Sequence, residues 1–274
     1  MSALEALGDW PVPVAAAAVT GPAGVLAEFG DTGRRFALAS VTKPLVARAV
    51  QVAVEEGVVD LDTPAGPPGS TVRHLLAHTS GLSMRSPDVI AEPGKRRIYS
   101  NEGFSVLAAA VEEASEIPFD RYLAEAVFEP LGMTASALAG GAPAAGFGGE
   151  STVTDLALFA AELLRPALVS PDMHADAVSV QFPGLPGVLP GYGTQRPNDW
   201  GLGFELRDGK SPHWTGSLNS GDTFGHFGQS GTFLWVDPVA DLALVVLTDR
   251  DFGEWALPRW PAVSDGVLRE FGPH

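Results

Sequence analysis

The chain has 274 residues, of which 45% are hydrophobic, with a formal net charge of −16 and no cysteine. Length and apolar content suit one large domain or two intimate ones. The acidic balance argues against nucleic acid and anionic membranes as partners, and the lack of cysteine excludes disulfides and thiolate metal sites. Residues 1–10 lack a basic signal region and residues 11–20 are too short and proline-broken for a membrane span, so we expect a cytoplasmic protein.

The N-terminal part of the chain predicts a hairpin followed by a helix. Residues 12–19 and 24–29 are two short apolar runs joined by a Gly-Pro turn, and the first of them is predicted as an edge strand. Residues 40–56 predict a helix, with apolar side chains at helical spacing and Gly57 as its stop. Pro44 would remove one hydrogen bond near the start of this helix and loosen its first turn.

The middle of the chain is predicted to consist of helices and loops. Helices are predicted over residues 71–78, 103–115, 119–128 and 154–164. Residues 139–149 are rich in Gly and Ala and predict a surface loop. Residues 170–198 are dense in Pro and Gly and predict a second, long loop, of the kind that often lines a site.

The C-terminal part predicts strands again. Three apolar runs, 223–228, 231–236 and 242–248, predict an antiparallel meander. A closing helix is predicted within residues 251–271, where Pro258 and Pro261 limit its start to about residue 263 or force a kink.

Strands at both ends and helices between them predict an α+β fold. We expect one domain, with an antiparallel sheet built from both termini and flanked by helices. The sheet part would comprise residues 1–59 and 216–274. Residues 60–215 would form an inserted, mainly helical subdomain, with the functional site between the two parts.

Ser40 and Lys43 are three residues apart on the predicted helix, so their side chains share one helix face. A serine hydroxyl becomes a nucleophile when a base takes its proton, and a desolvated lysine can do so near neutral pH. The chain has three lysines, and Lys43 is the one with a serine three residues before it. Arginine could not replace it, because a guanidinium cannot be deprotonated in a protein. An accidental Ser-x-x-Lys at a helix start is the alternative interpretation.

Two further motifs follow in the order that a serine hydrolase needs, a Tyr-x-Asn motif at 99–101 and a His-x-Gly motif at 226–228. Together with Ser-x-x-Lys, they resemble the serine β-lactamase and penicillin-binding-protein superfamily. The closest likeness is the class-C-type branch, which includes D-alanyl-D-alanine peptidases and many esterases. Residues 74–82, 200–204 and 225–231 are also typical of that branch, so the resemblance covers nearly the whole chain.

The resemblance implies a role for each residue of the first two motifs. Ser40 would be the acylated nucleophile, and Lys43 would hold or relay its proton. Tyr99 would act as general base, held partly as phenolate, which requires its pKa to fall from about 10 under the influence of a nearby Lys43. Asn101 would orient both the lysine and the amide or carbonyl group of the substrate.

The resemblance also implies how the substrate is held. The backbone N–H groups of Ser40 and Gln229 would form an oxyanion hole. His226 would lie beside the substrate, and Gly228 would belong to the same substrate-binding stretch. No metal and no organic cofactor is implied.

Each of these residues also has an ordinary structural interpretation. Tyr99 could be a half-buried aromatic with a hydrated hydroxyl, Asn101 the N-cap of the next helix, and His226 a strand histidine that faces solvent. His74 and His78 are four residues apart on one predicted helix, which would suit a metal, but no third ligand is apparent. We interpret these two histidines as structural.

The substrate class depends on a departure from the family pattern. Penicillin-binding members usually carry Lys-Thr-Gly where this chain has His226, and a histidine of ordinary pKa is mostly neutral at pH 7. Carboxylate binding should therefore weaken. We expect a serine hydrolase, foremost an esterase, acting on a small ester, amide or short peptide, with residues 83–92 along the rim of its cleft. The alternatives are a β-lactamase, a D-alanyl-D-alanine carboxypeptidase or D-aminopeptidase, and a catalytically silent relative that binds an acyl or peptide ligand.

Overall fold

A six-stranded antiparallel sheet forms the centre of the fold in the computed structural model, which describes residues 2–273. The strands are, in chain order, β1 (Ala15–Gly21), β2 (Gly24–Phe29), β3 (Phe36–Ala37), β4 (Ala137–Leu138), β5 (Gly149–Ser151), β6 (Gly187–Leu189), β7 (Gly193–Gln195), β8 (Glu205–Leu206), β9 (Phe224–Gly228), β10 (Thr232–Asp237) and β11 (Leu242–Thr248). The main sheet has the order β2-β1-β11-β10-β9-β8, while β3-β5-β4 and β6-β7 form two small sheets. The predicted α+β fold, with a sheet built from both ends of the chain, is confirmed.

Helices cover this sheet and fill the middle of the chain. The α-helices are α1 (Thr42–Glu55), α2 (Val72–Leu76), α3 (Asn101–Ser115), α4 (Phe119–Leu123), α5 (Glu129–Leu131), α6 (Val153–Leu164), α7 (Pro171–Ala177) and α8 (Ala256–Phe271). A π-helical turn, Ala124–Phe128, joins α4 to α5, and a 3₁₀ turn, Ala39–Val41, leads into α1.

Strand β11 separates two hydrophobic cores, because its side chains alternate between the two faces of the sheet. Val245 and Leu247 belong to the larger core, which includes side chains of α1, α3 and α6. Leu244 and Val246 point into a second core, which contains Trp260 and other side chains of α8. Burial on both faces explains why β11 is a continuous apolar run rather than an alternating one.

Several predicted elements differ from the observed ones. The first strand is not an edge strand, because β1 lies between β2 and β11 and β2 occupies the edge. Helix α8 begins at Ala256, which places Pro258 in the first turn, where its missing N–H costs no helical hydrogen bond. Pro261 lies inside the helix, so the predicted start near residue 263 is wrong, while the alternative of a kink stays a prediction.

The two predicted loops also contain regular structure. Residues 139–149 include a 3₁₀ turn, Ala142–Ala144, that packs against α3 with buried alanines. Residues 170–198 include α7, β6 and β7. A Gly- and Pro-rich composition marks where the chain turns, but it does not exclude short elements that are stabilised by packing.

The division into a sheet part and an inserted helical part stays a prediction. Strand β8, which comes from within residues 60–215, pairs with β9 and extends the main sheet. Among residues 2–273, no helix combines the length and the apolar character that a membrane span requires.

Candidate active site

Ser40 lies in the 3₁₀ turn before α1, so α1 begins two residues later than predicted. The preceding residue, Ala39, has a φ of 46°, a left-handed conformation that L residues adopt only where the surroundings impose it. The Thr42 hydroxyl imposes it here, because it donates to the Ala39 carbonyl (2.6 Å) and accepts the Gly149 N–H (2.8 Å). The turn that presents Ser40 is thereby fixed to the small β3-β5-β4 sheet.

Lys43 is completely buried, and its side-chain nitrogen lies among oxygen atoms. Its Nζ is 2.6 Å from Tyr99 Oη, 2.6 Å from Asn101 Oδ1, 2.7 Å from the Gly146 carbonyl oxygen and 3.4 Å from Ser40 Oγ. Burial holds the pKa of Lys43 well below the ordinary value of 10.5. The predicted neighbourhood of serine, lysine, tyrosine and asparagine is therefore present in the structure.

Tyr99 connects the serine to the lysine, since its Oη lies 2.7 Å from Ser40 Oγ. The ring packs between His78 and His226, with centroid distances of 4.7 and 5.7 Å. Burial raises the pKa of Tyr99 above its ordinary value of 10, and the hydrogen bond with Ser40 offsets this only in part. This direction does not favour a partly ionised Tyr99, because desolvation disfavours the charged phenolate.

Asn101 is free to contact Lys43 because another residue caps α3. The N-cap is Ser100, whose hydroxyl accepts the Gly103 N–H at 2.8 Å, so the interpretation of Asn101 as N-cap is wrong. Asn101 is the first residue of the helix, and its side chain points to Lys43 Nζ.

Gly146 is a site residue that the sequence patterns missed. Its carbonyl accepts from Lys43, and a Cβ on Gly146 would lie 3.1 Å from Asn101 Cα. The Gly/Ala-rich stretch 139–149 allows this close approach of two backbones, which is the one signal that could have indicated it.

His226 is a buried residue of β9 that lines the same cavity as Ser40. Its Nδ1 lies 2.7 Å from the Phe227 carbonyl oxygen, which can only accept, so Nδ1 carries the proton. Burial, and then the charge of Lys43, lower the pKa of His226 to about 3. The imidazole is therefore neutral at pH 7, and the alternative of a solvent-facing histidine is wrong.

Gly228 allows β9 to pass directly against the turn that carries the serine. A Cβ on Gly228 would lie 2.3 Å from the Leu38 carbonyl oxygen and 3.2 Å from Ala39 Cβ, so no larger residue fits. The next residue, Gln229, lines the cavity together with Ser40, and its carbonyl accepts the Phe252 N–H at 2.7 Å. The close contact at Gly228 thus brings the Gln229 backbone to the nucleophile.

A cavity of about 500 Å³ opens above these residues. It is lined by Ala39, Ser40, Met84, Arg85, Tyr99, Asn101, Glu102, Ser105, Pro143, Phe147, Leu189, Pro190, Trp200, Glu205, His226, Phe227 and Gln229. Met84 and Arg85 come from the segment 83–92, which places part of that segment at the cavity as predicted. The volume is that of a small-molecule site.

One cavity wall contains a charged network that the sequence patterns did not indicate. Glu205 is buried and forms an ion pair with Lys210, while its other oxygen accepts from His213 Nε2 at 2.8 Å and from Trp214 Nε1 at 2.7 Å. Burial alone would raise the pKa of Glu205, but His213 and Lys210 outweigh it and lower the pKa to about 2. The carboxylate is therefore charged and already fully paired.

His74 and His78 do not form a pair of metal ligands. His74 Nδ1 is hydrogen-bonded to Thr71 Oγ1 at 2.9 Å, and His78 Nδ1 accepts the Ser100 N–H at 3.2 Å. Within residues 2–273, no group of three or more His, Asp or Glu side chains could hold a metal ion. The structural interpretation of both histidines agrees with these contacts, although His78 also packs on Tyr99.

Sheet, helices and the cavity between them are those of a serine hydrolase of the β-lactamase and penicillin-binding-protein superfamily. A family model described as Beta-lactamase matches residues 10–266. The chain belongs to the beta-lactamase family, whose members are serine hydrolases, and the resemblance predicted from the motifs is confirmed.

Solved structures with the same fold carry different functional names. The chain is 73% identical to a beta-lactamase from Mycobacterium bovis, with a TM-score of 0.99 over 99% of this chain and 100% of that one. It also matches EstCE1, a hydrolase with promiscuous acyltransferase activity, in fold, at 19% identity with a TM-score of 0.77 over 97% and 96% of the two chains.

Penicillin-binding protein 4* of Bacillus subtilis is 30% identical over an alignment of 135 residues, with a coverage of 37% of this chain and 30% of that protein. A putative D-alanyl-D-alanine carboxypeptidase of Salmonella heidelberg is 26% identical, and the match covers 61% of this chain and 48% of that protein. The chain thus spans about half or less of the length of these two curated relatives. Their activities therefore enter only as proposals.

Proposed function

We propose that the protein is an esterase that cleaves a small neutral ester through an acyl-enzyme on Ser40. The chain of contacts from Ser40 Oγ to Tyr99 Oη (2.7 Å) and on to Lys43 Nζ (2.6 Å) is the observation that carries this proposal. It gives the serine proton a continuous path to a buried base.

The three close hydrogen-bond partners of Lys43 can serve both protonation states of its side chain. A neutral amine has two N–H groups, which Asn101 Oδ1 and the Gly146 carbonyl accept, and one lone pair, which remains for the Tyr99 hydroxyl. The Tyr99 hydroxyl, which donates to Ser40 Oγ in the structure, would in that state donate to Lys43 instead and accept the hydroxyl proton of Ser40. After proton transfer the ammonium has three donors and three acceptors, so both states are fully hydrogen-bonded.

Acylation then needs no stable phenolate. As Ser40 Oγ attacks the ester carbonyl, its proton moves to Tyr99 Oη while the Tyr99 proton moves to Lys43 Nζ. The alkoxide leaving group takes a proton back along the same path, and water later attacks the acyl-serine ester with the same base. The sum is ester plus water to acid plus alcohol. The raised pKa of Tyr99 is consistent with a residue that passes a proton without accumulating charge.

The oxyanion of the tetrahedral intermediate would be bound by the backbone N–H groups of Ser40 and Gln229. Both residues line the cavity, and the contact of Gly228 with the Leu38 carbonyl keeps β9 against the serine turn. The Ala39 conformation contributes to the same placement, because it sets the direction of the Ser40 N–H.

The preference for a neutral ester follows from His226. A carboxylate-bearing β-lactam or D-alanyl peptide needs a cation beside the scissile bond, and the neutral Nδ1–H tautomer of His226 offers none. Glu205 also lines the cavity, and its charge is matched by Lys210 rather than available to attract a substrate cation. A neutral substrate meets no unpaired charge on this wall.

A substrate panel tests the proposal. We expect purified protein to cleave p-nitrophenyl acetate with a kcat/KM well above that for nitrocefin or for a D-alanyl-D-alanine peptide, and a fluorescent phosphonate to label wild type but not Ser40→Ala. Faster nitrocefin turnover would favour a β-lactamase. A protein that binds these compounds without turnover or labelling would be a silent relative.

A further inference from the structure

Two large apolar side chains of the cavity wall are exposed to solvent, Met84 at 39% and Phe147 at 48%. Both residues are linked through the backbone to Asn101 and Gly146, whose oxygen atoms accept hydrogen bonds from Lys43. The Met84 carbonyl accepts the Asn101 N–H at 2.9 Å, and Phe147 directly follows Gly146. Asn101 and Gly146 contact Lys43 Nζ, so the backbone of both apolar residues is tied to the Lys43 site. Both apolar residues line the same cavity as Ser40.

Further lining residues of the cavity are also apolar. They are Leu189, Pro190 and Phe227, and the charge of Glu205, which lines the cavity too, is paired with Lys210. A water molecule takes about 30 Å³ of liquid volume, and a methylene is of similar size. A cavity of about 500 Å³ therefore holds on the order of fifteen non-hydrogen atoms, more than a short ester needs.

Two charged side chains also line the cavity and need to be considered. Arg85, which is exposed, and Glu102, which is half-buried, have opposite charges and both come from the side of the cavity that carries Met84. They therefore add no net charge to the site, and neither sign of substrate charge is favoured overall.

We propose that the cavity binds the acyl part of the substrate, that this part is an uncharged alkyl chain of medium length, and that Met84 and Phe147 are its contact residues. The inference rests on the proposed function. We assign the acyl part, rather than the alcohol, to Met84 and Phe147. The alcohol leaves when the acyl-enzyme forms, whereas the acyl chain stays on Ser40 until water attacks. Met84 and Phe147, which are linked through the backbone to the Lys43 partners Asn101 and Gly146, would contact this acyl chain.

A series of p-nitrophenyl esters from acetate to octanoate, below their micellar concentrations, tests the proposal. Burial of one methylene contributes about 0.8 kcal/mol, so kcat/KM should rise about fourfold per methylene until the cavity is filled. p-Nitrophenyl adipate, which ends in a carboxylate, should be cleaved at least about tenfold more slowly than the hexanoate.

Variants of Met84 and Phe147 test whether these two side chains contact the acyl chain of the substrate. Met84→Ser and Phe147→Ser should each lower the ratio of octanoate to acetate kcat/KM at least about tenfold. Ile90→Ser is the matched control, because Ile90 is 54% exposed on the same segment as Met84 but does not line the cavity, and it should keep the wild-type ratio. Melting temperatures of all three variants check that the fold is intact.

Three results would overturn the inference: a flat chain-length series, an equal loss of the ratio in Ile90→Ser, or an equal gain from lengthening the alcohol in alkyl acetates. These results are distinct from failure of the proposed function. If acetate is cleaved by wild type and not by Ser40→Ala, but without chain-length dependence, only the acyl-chain inference is wrong. If acetate is not cleaved and the phosphonate does not label Ser40, the esterase proposal itself is wrong.

Discussion

Burial controls the chemistry of Lys43. An exposed lysine is protonated at neutral pH, but at this position desolvation lowers the pKa, and the four oxygen atoms hydrogen-bonded to the nitrogen are all uncharged. The Ser-x-x-Lys spacing predicted the pairing of the two residues. It could not predict Gly146, which comes from a segment about a hundred residues further along the chain, because such a contact depends on the tertiary fold.

Lys43→Arg should lose activity nearly as completely as Lys43→Ala, on the order of a hundredfold or more in kcat/KM. The guanidinium keeps the charge but cannot accept a proton, and it is larger than the buried space allows. Ester turnover measures this. Lys95→Arg is the control, because Lys95 is exposed and is not among the residues that line the cavity. More than about a tenth of wild-type activity in Lys43→Arg would show that Lys43 is not the base.

His226→Lys should raise the ratio of nitrocefin to ester kcat/KM about ten- to a hundredfold, because it adds a cation where a carboxylate would lie. The new ammonium would stand near Lys43, so absolute rates should fall while the ratio rises. His226→Gln, which is neutral, is the control and should keep the wild-type ratio. An unchanged ratio in His226→Lys would mean that this position does not set substrate class.

Strands were easier to predict than the segments between them. The meander of β9, β10 and β11 was predicted to within one or two residues, because three apolar runs with glycine or Asp-Pro turns permit few other arrangements. The edge position of β1 was predicted wrongly, since its place in the sheet depends on pairing with β11, more than 200 residues away. Sequence spacing carries no information on that pairing.

Gly228→Ala should reduce ester turnover at least about tenfold and destabilise the protein by about 1–3 kcal/mol. The added methyl group would clash with the Leu38 carbonyl and push β9 away from the serine turn. Turnover and urea unfolding measure the two effects. Gly209→Ala is the matched control, because a Cβ there meets nothing within 4 Å. If Gly228→Ala behaves like Gly209→Ala, the contact between β9 and the turn is not needed.

The hydrogen-bond and ion-pair network around Glu205 was not predicted because most of its members lie in a segment without regular structure. Its members are five to nine residues apart in an irregular segment, so no periodicity connects Glu205 to Lys210, His213 and Trp214. Their contacts join β8 to the segment that follows it. The network therefore stabilises the cavity wall that β8 forms, and its contribution should depend on pH.

Glu205→Gln should destabilise the protein at pH 7 by about 3–5 kcal/mol, because Lys210 would lose its buried counter-charge. The folded state lowers the pKa of Glu205 from 4.5 to about 2, so its stabilisation is complete above pH 4.5 and is lost as pH falls toward 2. Urea unfolding should show the difference between wild type and variant shrinking as pH falls from 7 to 3.5. Exposed Glu28→Gln is the control, and a constant difference would contradict the charged pairing.

Across the whole molecule, the fold is shared by the family, whereas the substrate depends on individual side chains of the cavity. The sequence motifs predicted the family because the order of three short motifs is rarely met by chance, and the fold brings all three to one cavity. The similar proteins are named as a beta-lactamase, a penicillin-binding protein and, by likeness of fold, a hydrolase with promiscuous acyltransferase activity, so a shared fold does not define one substrate. The substrate depends on side chains such as His226, Met84 and Phe147.

The most direct test of the proposed function is to find the covalent intermediate. Protein quenched during turnover of a slowly deacylated ester should carry one acyl group, measured by mass spectrometry on the peptide that contains Ser40. Ser40→Ala should show neither the adduct nor turnover. An adduct on Ser230 instead, or wild-type turnover in Ser40→Ala, would contradict acyl transfer through Ser40.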